Sequence, residues 1–230
     1  MLIAGLQKLT LLDYPQKLAA TLFTPGCNFR CPFCHNAPLV ITPGDAPLIQ
    51  EEEVLSFLER RKGILDGVCI TGGEPLMQKD IASFIEKIKA MGFLVKLDTN
   101  GSYFSELKAL ISDGLVDYVA MDIKNSRENY AKTSAATPAM LSEIEKSVTL
   151  LLEGKVEYEF RTTVINEFHT EHDFYLIGRW IKGASLYVLQ SFRDSENVIQ
   201  TGLSGVTKEM LLSYADVVSK FVSCVQIRGV

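Results

Sequence analysis

TPGCNFRCPFCHN, residues 24–36, places three of the chain's five cysteines, Cys27, Cys31 and Cys34, in one loop directly after an apolar run that reads as a strand. Thiolates so close together are candidate metal ligands, and their C-x3-C-x2-C spacing tests which metal they suit. Iron–sulfur clusters normally take four cysteines, in runs such as C-x2-C-x2-C or C-x4-C-x2-C, and this loop matches neither. Structural zinc draws on one close pair of ligands and a second, separated pair. His35, next to Cys34, is badly placed to close the same tetrahedron, and no further Cys or His pair follows at zinc-finger spacing. What remains is a 4Fe-4S cluster held by three cysteines with one iron open.

Outward from the loop, short apolar runs at 18–23, 67–71, 93–99, 116–123, 156–165 and 185–191 alternate with amphipathic stretches at 51–62, 80–91, 105–112, 139–153 and 171–182. A glycine stands at or near the end of each amphipathic stretch (Gly63, Gly92, Gly114, Gly154, Gly183), as expected of helix C-termini. Strict alternation predicts right-handed parallel β-α-β units. The polar residues then decide between a flat sheet and a barrel. Lys96, Asp98 and Asn100 share one face of the third strand; Asp122 and Lys124 share one face of the fourth; Glu157, Glu159, Arg161 and Thr163 do so on the fifth, and Gln190 lies on the sixth. A strand between two helix layers would be apolar on both faces. The predicted fold is α/β, a partial (β/α)6 TIM-like barrel whose site lies at the C-terminal ends of the strands. Residues 1–16 form a short N-terminal extension, expected as a hairpin capping one edge. Residues 207–222 read as a C-terminal helix, with 224–228 a candidate extra strand. Residues 125–138, rich in Ser, Ala and Thr, predict a mobile loop at the mouth. No linker or low-complexity segment divides the chain, so residues 1–230 are read as a single domain.

The composition narrows the function classes. A formal net charge of -5 argues against a broad nucleic-acid-binding face. No apolar run has the length to cross a bilayer, and the N-terminus does not read as a signal peptide, so a cytoplasmic protein with no membrane partner is expected. Clustered thiols in a reducing compartment bind metal more often than they pair. Cys69 and Cys224, alone in GVCIT and SCVQI, read as buried small hydrophobes. His169 and His172 flank a helix start and read as solvated or capping.

The cysteine loop, with Phe33 just before its last cysteine, resembles the signature of the radical S-adenosylmethionine enzymes. The longer string GLQKLTLLDYP, residues 5–15, continuing as KLAATLFTPGCNFRCPFCHN, residues 17–36, is similar to the activating proteins of anaerobic ribonucleoside-triphosphate reductase in their longer form. Gln16 stands between the two pieces, where that family usually has glycine. The resemblance implies the same barrel, and a 4Fe-4S cluster on Cys27, Cys31 and Cys34 whose open iron takes the amino and carboxylate groups of S-adenosylmethionine. Reductive cleavage would then give methionine and a 5'-deoxyadenosyl radical that makes a glycyl radical on a partner enzyme, with anaerobic ribonucleotide reductase as the partner and a low-potential donor such as flavodoxin or ferredoxin.

The resemblance also assigns cofactor-binding residues. Gly72, Gly73 and Glu74 of TGGEP look like the segment that binds the methionine amino group. Asp98 or Asn100 of DTNG would hold ribose hydroxyls, and Asp122 and Lys124 of MDIK would grip the ribose and the methionine carboxylate. Phe33 and His35 lie where the adenine approaches, and Asn36 reads as a loop-fixing hydrogen-bonder. Gln190 stands where some activating proteins carry a histidine. Arg161, costly to leave unpaired inside a strand, is expected to meet Glu157, Glu159 or a bound carboxylate. Two alternatives stay open: a radical enzyme acting on a small molecule, similar to 7-carboxy-7-deazaguanine synthase, and a non-catalytic iron–sulfur or zinc module.

Overall fold

In the computed structural model, which describes residues 1–45 and 47–229, eight strands form one sheet whose spatial order repeats their order in the chain. The elements run β1 (Gly5–Thr10), β2 (Ala19–Thr24), α1 (Ala37–Ile41), α2 (Glu51–Glu59), β3 (Gly67–Gly72), α3 (Ile81–Ala90), β4 (Leu94–Thr99), α4 (Phe104–Ser112), β5 (Tyr118–Asp122), α5 (Tyr130–Ser134), α6 (Pro138–Leu152), β6 (Glu157–Val164), α7 (Glu171–Trp180), β7 (Tyr187–Ser191), α8 (Lys208–Ser219) and β8 (Val225–Arg228). Every neighbouring pair from β2 to β8 is parallel, while β1 runs antiparallel to β2 at the edge. The six expected strands are β2 to β7. The tail adds β8 as a seventh parallel strand, and the extension supplies β1 of a hairpin with β2.

Strand alternation sorts the side chains. Leu22, Ile70, Leu97, Met121, Phe160 and Leu189 pack with helix residues such as Leu58, Phe84, Leu107, Val148, Ile177 and Leu211 in the main core. The opposite, inner face is narrow at its base, where Tyr14 meets Ala19, Tyr118 and Ala120. Above this plug the inner face turns ionic, because Lys96, Asp98, Asp122, Glu159 and Arg161 occupy the alternate positions. Burying two aromatic rings at the base offsets part of the cost of a charged interior directly above them.

Residues 125–138 differ from the mobile loop expected. They contain α5, and Asn125, Ser126, Tyr130, Thr133 and Ser134 are all buried. Their small polar side chains are inward ties: Asn125 donates to Thr133 Oγ1 and to the Phe168 carbonyl, and Ser126 donates to Asp173. Cys224 also differs from its reading, since it is exposed, whereas Cys69 is buried as expected.

The connection from β1 to β2 turns at Tyr14-Pro15-Gln16-Lys17, closed by the Lys17 N–H donating to the Tyr14 carbonyl. Proline second and a left-handed residue third is the pattern of a type II turn, and Gln16 adopts φ +59°. A side chain is strained there, which gives the family's usual glycine a local reason. Gln16→Gly is expected to raise unfolding stability by about 0.5 to 1 kcal/mol, read as a higher urea midpoint at unchanged m-value; a lower midpoint would refute the turn assignment.

Candidate active site

The strand C-termini surround a cavity of 780 Å³. Cys27, Cys31, Phe33, Cys34, His35 and Asn36 line it from the cysteine loop; Gly72 and Gly73 from the end of β3; Asp98 and Asn100 from the end of β4; Asp122 and Lys124 from the end of β5; Arg161 from β6; and Gln190 from β7. Of the residues expected to hold the cluster or S-adenosylmethionine, Glu74 alone does not line this space. It is 1% exposed, and its carboxylate accepts from the Leu76 N–H (3.1 Å), the Thr99 hydroxyl (2.8 Å) and the Asn100 N–H (2.7 Å). Glu74 thus binds the end of β3 to the end of β4 instead of presenting an acceptor to the cavity. Burial pushes its carboxyl up to about 7 against these three donors.

Backbone bonds fix the cysteine loop to β3. Gly73 N–H donates to the Thr24 carbonyl and Glu74 N–H to the Gly26 carbonyl, each at 2.8 Å, while Asn36 donates to the Gly72 carbonyl at 2.6 Å. A Cβ on Gly73 would run into the Gly26 carbonyl, so only glycine permits this approach. Asn28, Asn100 and Ser102 tie the loop to β4: Asn100 donates to Asn28 at 2.9 Å, and Asn28 donates to Ser102 at 2.8 Å. His35 Nε2 lies 2.8 Å from the Arg193 carbonyl, with its ring 5.3 Å from Phe192, and Phe33 packs at 6.2 Å from Phe168.

The three cysteines are free thiols on the cavity wall. Burial pushes Cys27 up to about 11 and Cys31 up to about 12, and raises Cys34, with Lys124 pulling against burial at each one. Among the described residues, no three Cys, His, Asp or Glu side chains converge as ligands of a single metal ion. The donor set fits a larger thiophilic group: three soft ligands spread over one wall, with a cation beside them.

Opposite the thiols stands an ion network that the sequence indicated by residue type but not by pairing. Arg161 binds Asp98 Oδ2 through Nη2 at 3.1 Å and Asp122 Oδ1 through Nε. Lys96 pairs with Asp98, and Lys124 with Asp122 at 2.8 Å. Burial works to raise both carboxyls, but Arg161, with Lys96 on Asp98 and Lys124 on Asp122, outweighs it and holds both below the ordinary range. Arg161 therefore does not meet Glu157 or Glu159. Glu159, fully buried, is taken instead by Arg228 of β8 at 2.8 and 3.1 Å, with Tyr118 donating at 3.2 Å. Arg228 belongs to the site because residues 225–228 form β8 beside β7, and the period-two pattern of Val225, Gln226, Ile227 and Arg228 is the sequence signal that places it on the inner face. His169, expected to be solvated or capping, is 2% exposed and bonded between the ends of β5 and β6. Residue types in FHTEHD do not mark it, because its partners are backbone atoms, one of them, the Lys124 carbonyl, 45 residues away.

Removing Arg161 would leave two carboxylates facing each other. Arg161→Met is expected to cost about 2 to 3 kcal/mol, the low end for a buried charge cluster because these groups retain some solvent. In the intact protein the stability from ionised Asp98 and Asp122 is complete above the ordinary carboxylate range and is lost as pH falls through their depressed folded values. In Arg161→Met the two carboxyls move back toward the ordinary range, so this acid loss should be smaller, read as a shallower fall of urea-unfolding stability between pH 7 and 3; an unchanged acid limb would remove Arg161 as the cause.

Comparison with known proteins places this geometry. The Radical SAM superfamily model matches residues 21–177. A Methanocaldococcus jannaschii protein named "Putative glycyl-radical enzyme activating enzyme" is 32% identical over 200 residues, spanning 85% of this chain and 81% of that protein. A 7-carboxy-7-deazaguanine synthase of Hyperthermus butylicus is 39% identical over 77 residues, a third of this chain (33%) and 32% of that protein. A crystal structure of a domain of pyruvate-formate lyase-activating enzyme from Bacteroides vulgatus has the same fold, with TM-score 0.58 at 14% identity over 71% of this chain and 99% of that one. The fold is thus shared well beyond recognisable sequence. The chain belongs to the radical SAM superfamily, enzymes whose cofactors are a 4Fe-4S cluster and S-adenosylmethionine.

Proposed function

We propose that Cys27, Cys31 and Cys34 hold the cluster and that the enzyme installs a glycyl radical on a partner protein, an anaerobic ribonucleotide reductase. The observation that carries this reading is the match to the glycyl-radical activating relative, which extends over 85% of the chain rather than the cysteine motif alone. The deazaguanine synthase likeness covers a third of the chain, so a small-molecule substrate remains the second reading.

When bound, the reduced cluster and S-adenosylmethionine supply a carbon-centred radical that takes a hydrogen atom from the substrate. The protein's part is binding, orientation and exclusion of water. In this reading the backbone at Gly72 and Gly73 receives the methionine amino end, and Glu74 fixes that backbone without touching the ligand. Lys124, beside the thiols, neutralises the methionine carboxylate. Asp122, Asp98 and Asn100 offer acceptors and a donor to the ribose, while Arg161 keeps both carboxylates ionised and turned inward. Phe33 and His35 lie on the adenine side, and Gln190 lines the same cavity from β7. Asp98 Oδ1 and Asp122 Oδ2, which Arg161 does not bind, are held by Lys96 and Lys124, so both carboxylates are already oriented and little ordering cost remains on binding.

The electron comes from a low-potential donor such as flavodoxin or ferredoxin, and the setting is the cytoplasm. No helix of the described residues is long and apolar enough to cross a membrane.

Anaerobically loaded, dithionite-reduced enzyme should release 5'-deoxyadenosine from S-adenosylmethionine, and Cys31→Ala should lose both the cluster's visible absorbance and that product by at least about 100-fold. With the reductase added, electron paramagnetic resonance should show a glycyl doublet. Deoxyadenosine without any protein radical would overturn the activase assignment while leaving the cofactor chemistry in place.

A further inference from the structure

Lys124 lies two residues beyond the last residue of β5, past the point where the parallel ladder with β6 can hold it. Backbone pairing ends at Asp122 opposite Arg161, followed by the Ile123 N–H donating to the Arg161 carbonyl at 2.8 Å. The Ile123 carbonyl is taken by the Thr162 hydroxyl at 2.6 Å. The next rung is made by an imidazole. His169 Nε2 lies 2.9 Å from the Lys124 carbonyl, and its Nδ1 lies 3.1 Å from the backbone nitrogen of Ile165, just past β6. The Lys124 carbonyl needs a donor, so Nε2 carries a proton, while Nδ1 lies 3.1 Å from the Ile165 nitrogen and 3.2 Å from the Ile165 carbonyl. Burial lowers the His169 pKa and favours the neutral ring, in which Nδ1 accepts from the Ile165 N–H, against the pull of the Lys124 and Ile165 carbonyls.

We propose that His169 is a positioning residue for Lys124, a side-chain rung that extends the β5–β6 ladder far enough to set the ammonium beside Asp122 and the three thiols. A free segment at this point would leave a long, flexible cation to be ordered by the ligand itself. With its carbonyl fixed, Lys124 meets Asp122 at 2.8 Å and lines the cavity in advance. The neighbouring ties give the segment a frame but leave this rung to the histidine: Asn125 bonds to Thr133 and Phe168, and the Tyr130 hydroxyl bonds to the Asp122 carbonyl at 3.3 Å. The role differs from plain core filling because one face of the ring could be replaced by any aromatic packing on Phe174, 5.7 Å away, whereas the two hydrogen bonds could not.

The functional part of the inference rests on the reading of Lys124 as a cofactor residue, so the test has two arms. In cluster-free protein, His169→Phe should speed amide hydrogen exchange at Ile165 and in residues 123–126 while β2 to β4 keep their protection; unchanged exchange would overturn the proposal. In cluster-loaded protein, S-adenosylmethionine affinity measured by equilibrium dialysis should fall about 5- to 10-fold in His169→Phe, the scale of one hydrogen bond. His169→Gln, which keeps a donor for the Lys124 carbonyl, should stay within about two-fold of wild type. In a Lys124→Met background, His169→Phe should cost almost nothing more, because positioning acts only through the residue positioned. An equal loss in both backgrounds would show a merely structural histidine and overturn the proposal. If Lys124→Met by itself leaves affinity unchanged, the cofactor reading of Lys124 fails, and the exchange arm alone decides whether His169 holds the segment.

Discussion

One guanidinium faces two carboxylates from two other strands, and the site is organised by that arrangement. Arg161 on β6 reaches Asp122 on β5 and Asp98 on β4, drawing three strand ends into one ionic layer. Each carboxylate keeps a second cation, Lys124 or Lys96, so the layer holds three positive and two negative groups before any ligand arrives. A network of this kind contributes little net stability, because desolvation consumes most of the Coulomb gain. What it fixes is orientation: carboxylates that remain ionised, and so remain acceptors, in a place where burial alone would have protonated them.

A second joint holds the other half of the cavity by backbone rather than charge. The cysteine loop and the Gly72-Gly73 turn lie against each other so closely that no side chain fits between them at Gly73. Glu74 then reaches across to Asn100 and Thr99. The thiols and the ionic layer are therefore both referenced to the end of β4, the first through Asn28 and Asn100 and the second through Asp98. In the proposed site, positions that would cooperate on one ligand are set from one strand, by a hydrogen bond on one side and by the chain itself on the other.

How legible this was depended on whether a residue's partner was local. The alternation of strands and helices, the inward face of Lys96, Asp98, Asp122 and Arg161, and the cysteine loop all follow from period and spacing, and each lies where the pattern puts it. Pairings did not follow. The glutamates of its own strand are nearest to Arg161 in sequence, but its partners sit on β4 and β5, and Glu159 is taken by Arg228 of β8. Glu74 reads as part of the ligand-binding turn in TGGEP, whereas its carboxylate is buried and accepts from two N–H groups and the Thr99 hydroxyl, partners that the motif itself does not show. The buried polar segment at 125–138 read as a loop because Ser, Thr and Asn look the same whether they face water or replace it.

The thiols and Lys124 form the remaining electrostatic relation. In the free protein burial pushes Cys27 and Cys31 up to about 11 and 12, so these thiols carry almost no charge at neutral pH and the Lys124 ammonium is paired with Asp122. If the three cysteines hold the cluster as proposed, they would bind it as thiolates and give up their protons. Negative charge would then appear on the far side of the one ammonium that already influences each cysteine. Lys124 would stand between two anionic partners, restrained by Asp122 on one side and drawn toward the loop on the other. A side chain in that position serves best if its backbone cannot follow the pull, and the bonds at Ile123, Lys124 and Asn125 prevent it from doing so.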